Sequence, residues 1–286
     1  MDQKYIKLYD EYMHGALDRR DFLKRLAKLT GSVAAAYALL PLLENNYALA
    51  DTVPANDPRI TAAQVTYPGV TGDVKAYWAI PAGEGKYPGV LVIHENRGLN
   101  PHIEDVARRV AVEEYAALAP DALSPVGGTP ADRDEARDMI GKLDKDLTRK
   151  DFVAAVKYLK THPRTTGKVG VVGFCWGGAM TNQMAVLSED VDAAVPYYGS
   201  QPAVEDVPKI KASLMLHYAG QDERINKGID AFEAALKKSG VKYQKFIYEG
   251  ANHAFNNDTN ASRYHPEAAR LAWKRTMDYF NETLKE

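Results

Sequence analysis

Residues Gly170–Gly178 read G-V-V-G-F-C-W-G-G, and this stretch decides how the rest of the chain is read. The β-branched run Val169–Val172 leads into Gly173. Cys175, the only cysteine in the chain, follows, and Gly177 and Gly178 precede a helix expected over residues 179–187. Strand, tight turn and helix in this order make a nucleophile elbow, written G-x-C-x-G in place of G-x-S-x-G. The glycines are needed for steric reasons. The nucleophile takes a strained backbone, and a side chain at a flanking position collides with neighbouring backbone. The turn sets the sulfur at a helix N-terminus, where the positive end of the dipole favours a thiolate. A buried structural cysteine beside a Gly-rich turn spells the same letters, so partners elsewhere in the chain must decide.

A chain of 286 residues suits one large α/β domain with a short extra segment, or two small domains. Its 45% hydrophobic and 26% charged residues support a sizeable core. The net charge of −2 gives no electrostatic case for binding nucleic acid or an anionic membrane. A single cysteine excludes an internal disulfide framework and a Cys-based zinc site.

The first fifty residues stand apart. Asp18–Leu26 reads D-R-R-D-F-L-K-R-L, a weakly apolar stretch covers Leu29–Leu43, and Ala48-Leu49-Ala50 is an A-x-A pattern. Basic region, apolar region and small-residue cleavage site in that order make a signal peptide. Arg19-Arg20 with Phe22-Leu23-Lys24 resembles a bacterial twin-arginine export signal, which predicts a periplasmic protein cleaved after Ala50. The apolar part is too short and mild for a stable membrane span. Glu44-Asn45-Asn46 interrupts the pattern, and the alternative is a retained helical arm on a cytoplasmic protein. Residues 51–59, polar with two prolines, read as a linker, and the main domain is expected over residues 60–286.

Strands and helices then alternate. Strands are expected at residues 64–67, 74–80, 89–94, 116–119, 168–174, 193–197, 213–218 and 244–248. Helices are expected at residues 102–115, 132–143, 147–162, 229–239 and 267–284 besides the one after the elbow. This spacing implies a mostly parallel, doubly wound central sheet with helices on both faces, preceded by the N-terminal helical or signal segment. Together with the elbow motif it resembles the α/β-hydrolase fold.

A nucleophilic cysteine needs a base, and the base needs an orienting group. The chain order nucleophile, acid, histidine is met by Cys175, Asp222 in Gly220-Gln221-Asp222, and His253 in Gly250–Phe255. Each follows an expected strand, at the edge where open α/β sheets assemble their sites. Glu223 is the alternative acid. The oxyanion of acyl transfer needs backbone N–H donors. The amide of Trp176 follows the nucleophile directly, and the amide of Asn96 lies in the loop after the strand 89–94. Glu95 in that loop is out of place beside an oxyanion unless it has a role. The other histidines do not group at metal-ligand spacing, so no metal site is expected.

With these residues placed, the chain resembles the dienelactone hydrolase family over about residues 60–286. The matching stretches are V-I-H-E-N-R-G-L-N, A-L-A-P-D, G-K-V-G-V-V-G-F-C-W-G-G, V-P-Y-Y-G, G-Q-D and G-A-N-H-A-F. The resemblance implies a cofactor-free Cys–His–Asp hydrolase of lactones or esters, with Cys175 as nucleophile, His253 as acid–base and Asp222 as its orienting carboxylate. It also implies that Glu95 contacts the resting thiol and helps deprotonate it when substrate arrives. Members that cleave dienelactone hold its carboxylate with two arginines, one shortly after the histidine. Here Asn257 stands there, which argues against dienelactone itself. The large ring of Trp176 beside the nucleophile suits a flatter or more apolar ester, or else packs against the sheet. Arg97, Arg133 and Tyr198 are the expected substrate-binding residues, with Arg137 and Arg224 as other arginines in reach. The expected partner is a small ester or lactone, and the expected state a monomer or small homo-oligomer. A thiol redox sensor and a non-catalytic binding protein are the alternative functions.

Overall fold

The computed structural model describes residues 1–15 and 17–285. Three helices open the chain: α1 (Gln3–His14), α2 (Arg19–Thr30) and α3 (Val33–Leu43). The main domain then runs β1 (Ile60–Pro68), β2 (Asp73–Pro81), β3 (Tyr87–Ile93), α4 (Pro101–Val112), β4 (Ala116–Pro120), α5 (Arg133–Lys142), α6 (Lys145–Thr161), β5 (Thr165–Phe174) and α7 (Trp176–Leu187). It ends with β6 (Ala193–Tyr197), β7 (Ser213–Ala219), α8 (Glu223–Asn226), α9 (Ile229–Ser239), β8 (Tyr243–Tyr248) and α10 (Pro266–Leu284).

The strand order is β1-β2-β4-β3-β5-β6-β7-β8. β1 and β2 form an antiparallel hairpin, β2 meets β4 antiparallel, and the six strands from β4 to β8 run parallel. The central strands are apolar on both faces because helices cover both. Along β3 and β5, Leu91, Ile93, Val169 and Val171 face one layer, with Phe152 and Leu159 of α6, Met184 of α7 and Phe232 of α9. Val90, Val92, Val172 and Phe174 face the other, with Val106 and Val110 of α4 and Ala272 and Phe280 of α10. The alternation of strand and helix signals thus yields the expected mostly parallel sheet between two helical layers.

The first fifty residues fold as three capped helices. Asp2, Asp18 and Ser32 accept backbone N–H bonds at the three N-termini, each satisfying a donor that a helix start leaves open. Tyr9, Tyr12, Phe22, Leu26, Leu40 and Leu43 close a small core of their own, with Tyr12 stacked on Phe22 at 4.6 Å. Asn260 ties this unit to the main domain, its amide donating to the Leu43 carbonyl at 2.7 Å and to Asn45 Oδ1 at 2.8 Å. The stretch read as a linker is anchored too: the Val53 N–H donates to buried Asp105 at 2.8 Å. Among the described residues no single helix is long and apolar enough to cross a membrane, and the α2–α3 pair is bent by 111°.

The helix after the elbow starts at Trp176, three residues earlier than its apolar signal, because glycines let it approach the sheet. A β-carbon at Gly177 would stand 2.3 Å from the Ile93 carbonyl oxygen and 2.4 Å from that of His94, and one at Gly178 would stand 2.4 Å from the Tyr197 oxygen. These are backbone atoms and cannot swing aside. Gly177→Ala is therefore expected to destabilise the protein by about 1–3 kcal/mol, the usual cost of overpacking. Urea unfolding of the purified variant measures it, and a midpoint equal to wild type contradicts this packing.

Candidate active site

Cys175 sits between β5 and α7 with φ +59° and ψ −111°. Its N–H donates to the Tyr197 carbonyl at 3.0 Å, and the residue is buried. Non-glycine residues with positive φ are rare, and each costs about 1–3 kcal/mol unless its surroundings hold it. Two others, Tyr198 at φ 38° and Ala254 at φ 64°, belong to the same site.

Asp222 ends the turn after β7 and caps α8, with Oδ1 accepting from the Ile225 N–H at 3.2 Å. Its Oδ2 lies 2.5 Å from His253 Nδ1. Fixed at both oxygens, the carboxylate holds the imidazole so that Nδ1 carries the proton and Nε2 is left as the base. His253 Nε2 is buried without a hydrogen-bond partner among the described residues. Burial alone pushes the His253 pKa down, but negative charge on Cys175 and Asp222 outweighs it and raises the value to about 10. Burial pushes the Asp222 carboxyl up, and the His253 charge and hydrogen bond bring it below the usual carboxylate range. The imidazolium is favoured when Cys175 is ionised, since that charge is the larger of the two that raise the value. Tyr198 packs its ring 5.0 Å from that of His253, and its hydroxyl is buried without a partner among the described residues.

The loop after β3 brings Glu95, Asn96 and Arg97 to the same edge. His94 sets it. Its Nε2 accepts the Ala122 N–H at 3.2 Å, so Nδ1 holds the proton and donates to the Glu95 carbonyl at 2.5 Å. Trp176 stacks flat on His94 at 5.1 Å and meets Phe152 edge-on, so its ring packs against the sheet while its amide opens α7. Glu95 is buried; Oε2 accepts from the Asn257 amide at 2.8 Å, and Oε1 has no partner among the described residues. The position where the resemblance calls for an arginine is therefore used here to grip Glu95. Glu95 and Cys175 line one small cavity without a hydrogen bond between them among the described residues.

The N-terminal helices cover this edge. His14, at the end of α1, stands over the nucleophile, with Nε2 3.9 Å and Nδ1 4.0 Å from Cys175 Sγ, and its ring meets that of His253 edge-on at 4.6 Å. Ligand atoms of His14, Cys175 and His253 all lie within 4.8 Å of one another. The expectation that no histidines group at metal-ligand spacing concerns the sequence alone; in space His14 meets Cys175 across 161 positions of chain. Arg97 is buried and donates to Tyr9 Oη at 3.3 Å and Met13 Sδ at 2.8 Å. Arg133 donates to the Asn45 carbonyl, and Arg137 lies over the Tyr12 ring at 4.5 Å. All three arginines serve the arm. The Asn96 side chain does likewise, donating to the Met13 carbonyl at 2.9 Å. An open cleft of about 760 Å³ reaches Cys175 between the arm and α5–α7, with Trp176, Tyr198 and Arg224 on its walls.

Two residues at the site had no signal in the sequence. His14 lies in a helix remote from the catalytic motifs. Arg263, buried in the loop before α10, places its guanidinium 5.1 Å from the Tyr9 ring and lines the small cavity with Cys175; its S-R-Y-H-P surroundings match no motif.

The family model described as the dienelactone hydrolase family matches residues 74–284, and a model described as YqhI-like matches residues 1–31. A protein of Methylorubrum extorquens named as a carboxymethylenebutenolidase is 30% identical over 275 residues, covering 91% of this chain and 93% of its own. A hydrolase fragment of Escherichia coli is 54% identical over 112 residues, covering 38% of this chain and 96% of its own. The solved structure of a dienelactone hydrolase from Klebsiella pneumoniae superposes with a TM-score of 0.71 at 27% identity, covering 77% of this chain and 98% of that one. A dienelactone hydrolase-like promiscuous phosphotriesterase from metagenomic libraries also gives 0.71, at 26% identity, covering 79% of this chain and 99% of that one.

Arg97 is the buried charge on which α1 rests, so Arg97→Met is expected to loosen the arm. Trypsin then cuts the basic stretch at residues 19–28 several-fold faster than in wild type, read by mass spectrometry. Equal cleavage rates contradict the docking.

Proposed function

The chain belongs to the dienelactone hydrolase family and is a hydrolase, and from this we propose that it cleaves a carboxylic ester or lactone through a Cys175 thioester. The observation that carries this reading is the buried line from Asp222 through His253 toward a cysteine held at positive φ on a helix start. The Cys175 thiolate attacks the carbonyl carbon, and the carbonyl π electrons move to oxygen. That oxyanion is met by the backbone amides of Trp176 and Asn96, donors set before the reaction begins. The tetrahedral intermediate collapses to the thioester as the alkoxide leaves with the proton of the His253 imidazolium. His253 Nε2 next takes a proton from water, whose oxygen attacks the thioester. The acid departs and the thiolate is restored. In a lactone the leaving alkoxide stays tethered to the acyl group.

Glu95 fits the role of a carboxylate that accepts the thiol proton during activation. Its free Oε1 and its shared cavity with Cys175 support this, and Asn257 holds it ready. A neutral thiol at rest resists oxidation better than a standing thiolate. For the substrate, Arg97, Arg133 and Arg137 are engaged by the arm, so a carboxylate-bearing ester would have to be met by Arg224 on the cleft wall.

We propose too that residues 1–50 are a retained part of the enzyme. Their own core, their ties through Asn260 and Arg97, the YqhI-like match over residues 1–31 and a relative aligned over 91% of the chain support it. Intact mass of the protein from its native host is expected to be that of the full chain; a species lacking residues 1–50 means export and cleavage instead.

Hydrolysis of chromogenic neutral and anionic esters tests the chemistry. Cys175→Ala is expected to lower kcat by about 10⁶-fold and Asp222→Asn by about 10⁴-fold. Glu95→Gln is expected to slow the acylation burst by about 10²-fold, with deacylation unchanged. Turnover that survives Cys175→Ala, or full activity in Asp222→Asn, contradicts the mechanism.

A further inference from the structure

The arm adds a third ligand-type side chain to a site whose chemistry needs only two. We propose that His14, Cys175 and His253 form a zinc site that shuts the enzyme with its own N-terminal arm. The proposal rests on the catalytic reading above only in giving that site a regulator; the binding itself does not require turnover.

The donor set is one thiolate and two imidazoles, which zinc takes readily and which magnesium and calcium, as hard oxygen-seeking ions, do not. In a tetrahedral site, Zn–S and Zn–N bonds of about 2.3 and 2.0 Å put ligand atoms about 3.3–3.6 Å apart. Here Sγ lies 4.0 Å from His14 Nδ1 and 3.9 Å from Nε2, and the whole set spans no more than 4.8 Å. Closure needs a movement of about 1 Å, and His14, at the C-terminal end of α1, is placed to make it.

The outer shell is the more telling feature. A metal-bound histidine usually gives its second nitrogen to a carboxylate, which fixes the ring and strengthens the ligand. His253 has that carboxylate in place, and His14 has one near it that is not yet hydrogen-bonded. His253 Nδ1 is 2.5 Å from Asp222, and His14 Nε2 is 3.4 Å from Asp10 on the same helix. His253 Nε2 is buried and unpartnered among the described residues, and the two nitrogens of His14 are nearly equidistant from the sulfur, so either can be the ligand after a small turn of the ring. The open cleft leaves a fourth position for water. Asp10, Asp222 and the thiolate offset the charge of the ion beside Arg224, which stands 3.8 Å from Asp10.

The consequence is specific. Zinc occupies the nucleophile and the base together and clamps α1 over them, so hydrolysis stops until the metal is removed.

Cobalt(II) is the probe. Titrating the metal-free full-length protein is expected to give one equivalent of tight binding. Its signature is a thiolate-to-cobalt charge-transfer band with the intense visible bands of a tetrahedral ion, both displaced by zinc. Cys175→Ser loses the charge-transfer band. His14→Ala weakens binding by about 100-fold, and Asp10→Asn, which leaves all three ligands in place, by about 10-fold. In the ester assay zinc inhibits wild type and chelation restores it, while His14→Ala retains metal-free hydrolysis and needs at least tenfold more zinc for inhibition. Absence of the cobalt signature in wild type overturns the proposal, and so does equal affinity in His14→Ala. Cobalt binding without any ester hydrolysis would leave the metal site standing and remove the catalytic reading; hydrolysis without cobalt binding does the reverse.

Discussion

The close approach of α7 to the sheet is the constraint that shapes the whole site. Gly177 and Gly178 bring the helix against the carbonyls of Ile93, His94 and Tyr197, and Gly173 gives it room at the end of β5. With the helix so near, the one residue between strand and helix has no choice of backbone. Cys175 is turned to positive φ, its side chain leaves the sheet edge, and the Trp176 amide stands beside it as the first of the helix. A larger residue at any of these glycines moves the sulfur before it touches the chemistry. The strain at Cys175, Tyr198 and Ala254 is held by the six parallel strands behind it, a core far larger than the few kcal/mol stored.

Around that constraint lies a shell of positional hydrogen bonds. Asp222 is fixed by its helix cap before it meets His253. His94 locks the loop that carries Glu95 and Asn96, and stacks on Trp176 so that the two loops of the site share one rigid contact. Asn257 grips Glu95. Asn257 and His94 do not react; each removes freedom from a neighbour, which is how side chains from distant strands keep a common geometry.

Most of this is legible in the sequence, and for physical reasons. Apolar β-branched runs bounded by Gly and Pro mark buried parallel strands, and the catalytic residues follow such runs directly, so chain order alone puts Cys175, Asp222 and His253 on one edge. What stays hidden depends on contacts between remote segments. Arg19-Arg20 beside a mild apolar run reads as an export signal from local pattern alone. The packing of Tyr12 on Phe22 and of Arg97 under α1, which supports the retained arm proposed above, joins residues too far apart to be read together. Arg97 and Arg133 are sensible anchors for a substrate, yet their guanidiniums face arm groups. His14 carries no signal at all, since nothing in residues 1–15 says which loop they will cover. Asn257 is legible only as a missing arginine; its grip on Glu95 needs three dimensions.

The mechanism stands or falls on whether an acyl group passes through the sulfur of Cys175. Acid quenching during turnover of an activated ester, followed by intact-mass and peptide analysis, shows where the acyl group sits. The expected finding is one acyl mass per chain, carried on the peptide containing Cys175 and lost on returning to neutral pH. An acyl group on any other residue, or steady turnover with Cys175 never modified, would rule the mechanism out.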